Sequence, residues 1–429
     1  MASKYFGHHS GGVSEEIITH CIFPFVSSKH TFSSISKQIR GLVLSEEAAC
    51  YWKDQPLLLC IDSYCSPTCP LKRKRASTNG ALSLLCTIPV ITVQMHCFIT
   101  DIKLCLLALS HRGTIQSLHL TVSNRANSPP LVDVIPNSLT SEMFSNMREL
   151  VLDSSHLQQV KPEGRIKLLR LLGKSLTTLS FIGLSPPNPF FMLNQLCPAL
   201  QHLRVDSIYA LEEFSSFENH TITHLELCRA NIIVKSHVAL SALKIFRYSS
   251  NAAHPIEQYH HMIMCLPHNL VELSLEISSA DASDILSTVS LHLSHLERFR
   301  LEGAYQRGII GQQALFSFCQ HCKTIRFLDI HSISVATLSF EEHAFRNLSY
   351  CPLLSHVRVM FEDVVLADIP VLLERLHQAN ASRLSPHQMQ ISLWERSRWC
   401  PQSWAKMKED VQRLSAMFPC AIVELIDIS

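Results

Sequence analysis

A short apolar motif recurs along most of this chain and restricts what it can fold into. Its kernel is an apolar residue, two of any type, a second apolar residue, one of any type, then a third, as in Leu200-Gln201-His202-Leu203-Arg204-Val205. Copies open at Ile115, Met147, Leu176, Leu200, Ile222, Leu243, Leu270, Leu296, Ile325 and Leu354, with separations of 21 to 32 residues. A period of that length implies one supersecondary unit per copy, stacked on its neighbours.

Each kernel reads as a strand. Successive side chains of a strand point to opposite faces, so the last two apolar positions turn inward together. The intervening segment must carry the chain back to the start of the next strand. Two of these return segments have helical periodicity: Asp281 to Leu293 aligns Ile285, Leu286, Val289 and Leu293, and Pro255 to Leu266 aligns Tyr259, Met262, Ile263 and Leu266. The pattern weakens after Val359, where a helix is expected over 368–379, a strand over 389–393 and a helix over 401–418. Val423, Ile426 and Ile428 give a last degenerate kernel, in the place of the atypical cap that a terminal repeat needs.

From Thr114 to Ile428 the sequence resembles the leucine-rich repeat family. The resemblance implies an α/β solenoid over residues 100–429, with a parallel sheet on the concave face, helices outside and a C-terminal cap. Such a scaffold grows by addition, so 429 residues with 47% hydrophobic content need no single large core. Long interruptions at 124–136 and 185–189 are expected as loops on one rim.

Residues 1–12 read as a disordered leader, and residues 13–52 as a small helical module. Ile17, Cys21 and Phe25 are four apart, and Phe32, Ile35, Ile39 and Leu42 follow a second helical period. With Val13, Glu16, Ile22, Ser36, Lys37 and Trp52 these positions resemble the F-box family. Val13-Ser14 stands where that family has Leu-Pro, and Pro24 falls where its first helix would run, at a cost of about 3 kcal/mol unless the helix breaks there. The resemblance implies docking on the Skp adaptor of a cullin–RING ubiquitin ligase through Val13, Ile17, Ile22, Phe25, Ile35 and Ile39. The repeats would then hold an unknown protein substrate. A plain helical cap on a stand-alone repeat scaffold is the alternative, and adaptor binding separates the two.

Residues 53–99 read as a linker and connecting segment, with Pro56, Pro67, Pro70 and the basic run Lys72 to Arg75. Thr100 is a helix N-cap leading a helix that stops at Gly113. The stretch from Leu82 to Thr100 is very apolar, but its interrupting polar residues argue against a membrane span. Sixteen cysteines are scattered, many at core positions; no pair of CxxC motifs is matched, and the one at Cys319-Gln320-His321-Cys322 adjoins a kernel. Neither metal, cofactor nor disulfide is expected. No charged-then-apolar leader is read at the N-terminus, so a location in the cytoplasm, the nucleus or both is expected.

A net charge of +1 argues against broad binding to nucleic acid or anionic membrane. With no P-loop, His-Glu-x-x-His or Gly-x-Ser-x-Gly and only twelve glycines, the chain reads as a binding protein rather than an enzyme. The candidate binding residues are those between the inward apolar positions of each kernel. They include two alternating runs, Arg204/Glu226/Arg247 and Arg300/Asp329/Arg358, with Arg298 beside the second and Ser274, flanked by Glu272 and Glu276, between them. Two arginines to one acid in each run suggest capture of an acidic or phosphorylated segment.

Overall fold

A computed structural model describes residues 57–60, 91–99, 102–110, 115–123, 130–153, 162–183, 191–206, 210–211, 219–229, 231–232, 240–250, 255–277, 282–303, 309–310, 312–335, 351, 353–361, 389–396 and 421–428, with the single positions 409, 412 and 416. The chain divides into two compact units, residues 1–188 with 192–200 and residues 189–191 with 201–429. Both are α/β, and in both the strands pair parallel in chain order.

In the first unit the strands are Leu57–Cys60, Thr92–Phe98, Ser117–Ser123, Glu149–Asp153 and Thr178–Ile182. Kernel aligns with kernel: Leu118 is opposite Leu150 and Leu150 opposite Leu179, while Leu120, Leu152 and Phe181 form the next buried row. Two strands precede the expected boundary at residue 100. Thr92–Phe98 belongs to a further kernel, Val90/Val93/Met95, and Val93, Met95 and Cys97 keep the two-residue period, buried opposite Leu118, Leu120 and Val122. The segment read as a connection therefore supplies sheet.

Helix Ile102–Ser110 follows, burying Ile102, Cys105, Leu106 and Leu109. A short helix, Leu131–Val134, lies within the stretch expected as loop. Lys167, on helix Pro162–Leu172, holds it by donating to the carbonyls of Val132 at 2.9 Å and Ile135 at 2.7 Å. Gly164 on the same helix permits this approach, since a Cβ there would stand 2.8 Å from that of Leu131. The interruption over 185–189 lies outside the described residues.

The second unit has the strands His202–Asp206, His224–Cys228, Ile245–Tyr248, Glu272–Ile277, Arg298–Gly303, Phe327–Val335, His356–Phe361, Met389–Arg396 and Ala421–Ile428. Their entry is stereotyped. One carbonyl accepts from two successive N–H groups of the next strand: Gln201 from Thr223 and His224, Val271 from Glu297 and Arg298, Arg326 from Ser355 and His356. That shared bond fixes the register before the apolar pairs meet. The opening residue of every kernel from Ile115 to Leu354 is at most 3% exposed, and in the copies opening from Ile115 to Ile325 the two inward residues are buried as well. Burial of a medium aliphatic side chain stabilises by roughly 1.5–3 kcal/mol, and the stacked rows are what hold each unit together.

Helices Ile256–Cys265, Ala282–His292 and Gln312–His321 return the chain. They cover one face of the sheet. Tyr248 meets Tyr259 edge-on with ring centroids 6.0 Å apart, and Phe299 meets Phe318 at 5.1 Å. Tyr259, Met262, Ile263 and Leu266 are buried, as are Ile285, Leu286, Val289 and Leu293. The helix expected over 368–379 lies outside the described residues; strands occupy the places expected at 389–393 and around Val423.

Candidate functional site

The face of the second unit's sheet opposite these helices carries its charged side chains. Leu203, Val205, Leu225, Leu227, Phe246 and Tyr248 turn toward the helices and are buried, so the residues between them face the other way. Parallel pairing sets Arg204 opposite Glu226, Glu226 opposite Arg247, Arg247 opposite Ser274, Ser274 opposite Arg300, Arg300 opposite Asp329 and Asp329 opposite Arg358. The register thus brings both runs of the sequence into one row. In the first unit the corresponding row is Gln94, His119, Val151 and Ser180, without arginine, lysine or carboxylate.

Two residues along each strand, before or after that row, lie further side chains on the same face. On one side are His202, His224, Ile245, Glu272, Arg298 and Phe327. His202 stacks on His224 with centroids 4.0 Å apart, and Phe327 stacks on His356 at 4.1 Å. Burial and the neighbouring His202 hold the His224 imidazole below its ordinary pKa. On the other side are Asp206, Cys228, Glu276 and Glu302. Burial and then the carboxylate of Glu226 push the Cys228 thiol up to about 11.

These outer rows change the charge balance. Arg204 pairs with Asp206 and with Glu226, at 3.8 Å in each case. Arg229, whose backbone adopts φ of 53°, adds a second cation to Asp206. Arg247 is bidentate to a single oxygen of Glu272, through Nε at 2.9 Å and Nη2 at 2.7 Å. Arg300 bonds Glu302 at 2.8 Å and lies 3.6 Å from Asp329. The arginines of the middle row whose side chains are described are therefore held by acids on the same face, and they are not a surplus of positive charge. Arg298 is different: it is exposed, and its side chain forms no ion pair or hydrogen bond among the described residues.

A groove of about 390 Å³ opens here, lined by Glu226, Arg247, Glu272, Ser274, Glu276, Arg298, Arg300, Glu302, Phe327 and Asp329, among others. Glu276 stands opposite Glu302 in the register. Burial, then the Glu302 charge, raises its carboxyl above the usual carboxylate range, with partial relief from a Ser249 hydrogen bond and from Arg300. Glu302 and Asp206 escaped the sequence reading, which took the residue between the inward positions of each kernel and, beyond it, only Arg298, Glu272 and Glu276. The signal was present in the two-residue period, which puts the next position but one on the same face.

The adaptor positions Val13, Ile17, Ile22, Phe25, Ile35 and Ile39 lie outside the described residues, as does the side chain of Arg358. The CxxC cysteines are core residues: Cys319 and Cys322 are fully buried beside Cys351 of the next repeat, whose thiol faces the carbonyls of Cys319 and Cys322. No group of three or more His, Cys, Asp and Glu among the described residues is placed to hold a metal, and no helix among them is long and apolar enough to cross a membrane. No model of a known protein family matches the chain, and no curated protein matches it.

Proposed function

We propose that the chain is a substrate-recognition subunit of a Skp–cullin–F-box ubiquitin ligase, acting in the cytoplasm or nucleus. Residues 13–52 hold the Skp adaptor. The following leucine-rich repeats form a solenoid whose uncovered, concave sheet face holds the substrate protein. The observation that carries the binding half of this reading is the ordered row of charged side chains across a sheet face that no described helix covers. The adaptor half rests on the apolar pattern of the N-terminal segment.

The chain's own chemical contribution is proximity. It raises the effective concentration of a substrate at the ligase and makes or breaks no bond itself. A stand-alone repeat scaffold uses the same sheet face without an adaptor. Co-expression of the full chain with the Skp adaptor tests the difference. The adaptor is expected to co-purify with the wild type and to be lost with Ile17→Asp or Ile35→Asp. A wild-type chain that retains no adaptor leaves only the scaffold reading.

A further inference from the structure

The groove on the second unit has opposite charge at its two ends. At one end the Arg298 side chain is exposed and unpartnered among the described residues. At the other, Glu276 and Glu302 stand side by side on adjacent strands, and the one arginine near them, Arg300, is divided between Glu302 and Asp329. Arg247, next along, is committed to Glu272. Arg298 and Glu302 are on one strand, four residues apart, which is about 13 Å at the rise of an extended chain. The floor between them is neutral Ser274 with the ion pair of Arg300 and Asp329, which needs no further charge.

We propose that this groove binds an extended segment of a partner protein that carries an acidic residue over Arg298 and a basic residue over Glu276 and Glu302, four positions apart. An extended segment matches because its side chains four apart share a face and have the same spacing as the two ends. The inference rests on the reading of the chain as a protein-binding scaffold, and it replaces a uniformly acidic or phosphorylated partner with one of mixed charge. A cation placed over Glu276 also relieves the carboxylate that burial and Glu302 disfavour. Phe327 at the Arg298 end supplies an aromatic face beside the acidic residue's contact. Complementary charges at fixed spacing give partner choice more than raw affinity.

The test is selection of random nine-residue peptides on the immobilised full chain, repeated on Arg298→Glu and Glu276→Gln. The wild type is expected to enrich opposite charges at positions i and i+4 in one order. Arg298→Glu should convert the acidic preference to a basic one, and Glu276→Gln should weaken the basic preference at least severalfold. Arg298 is exposed and Glu276 half-buried, and thermal melts check that the variants fold. Three outcomes overturn the proposal: no enriched peptide, enriched peptides without the opposite pair, or peptides that bind wild type and Arg298→Glu alike. Adaptor co-purification is read separately, so loss of the ligase assignment does not imitate any of these.

Discussion

The guanidinium of Arg300 stands 3.6 Å from the carboxylate of Asp329 on the neighbouring strand, and the two differ sharply in exposure, at 46% and 5% of their side chains. Removing either breaks the same pair, but the consequences are unequal. Without Arg300 a buried carboxylate loses a cation; without Asp329 an exposed cation still has Glu302 at 2.8 Å. Arg300→Ala is therefore expected to cost about 1–3 kcal/mol, and Asp329→Asn less. Urea unfolding of the two variants measures the order, and equal losses would contradict it.

A second prediction concerns the turn before the strand His224–Cys228. The side chain of Asn219 is buried, and its Oδ1 accepts from the backbone N–H groups of Thr221 and Ile222, each at 2.7 Å, and from the Thr221 hydroxyl at 3.1 Å. This Asx-type turn delivers Ile222 to its buried place at the head of the kernel. Asn219→Ala leaves those donors without their acceptor and should cost about 1–3 kcal/mol. Asn219→Asp keeps the acceptor and should cost less. A loss as large for Asp as for Ala, in denaturant midpoints, would show that the acceptor oxygen is not what matters.

The third concerns Gly173. A Cβ at this position would run into the Leu196 carbonyl and stand 2.8 Å from the Cys197 sulfur. Backbone cannot yield cheaply, so Gly173→Ala should cost about 1–3 kcal/mol by overpacking. A variant that melts with the wild type would mean that the turn before Thr178 can move.

Cysteine ionisation supplies a fourth. Burial pushes the thiol of Cys197 up to about 12; burial, with a smaller part from Cys351, does the same for Cys322. An ordinary thiol titrates near 8.5. Both contributions to stability are complete below that ordinary value. They are lost as pH rises toward about 12, because the unfolded chain releases protons that the folded chain keeps. Each thiol steepens the loss by about 1.4 kcal/mol per pH unit across that window. Cys197→Ala should flatten the fall in stability between pH 8.5 and 10; an unchanged slope would place this thiol in solvent.

How much of this was legible depended on the range of the signal. The kernels gave the buried rows directly, because Leu203 with Val205 or Phe299 with Leu301 have the two-residue spacing of a half-buried strand. The row from Arg204 to Asp329 followed, since one residue sits between each such pair. Thr92–Phe98 was hidden only by the long apolar stretch from Leu82 to Thr100 around it, for Val93, Met95 and Cys97 alternate with Thr92, Gln94 and His96 as a half-buried strand requires. The helix Leu131–Val134 was hidden for another reason. Four residues nucleate poorly alone, and Lys167, more than thirty positions away, supplies the bonds that hold it. The pairing of Arg247 with Glu272 was equally out of reach, because it joins positions two residues out of register on neighbouring strands and depends on side-chain reach.

The assignment as a ligase subunit stands or falls on the N-terminal segment. Titration calorimetry of the purified full chain against the purified Skp adaptor measures it most directly. A one-to-one complex with a Kd of about 1 μM or tighter, or roughly −8 kcal/mol, is the predicted result, weakened at least a hundredfold by Ile17→Asp. Absence of heat and of co-elution at tens of micromolar, from a chain that melts cooperatively, would contradict it.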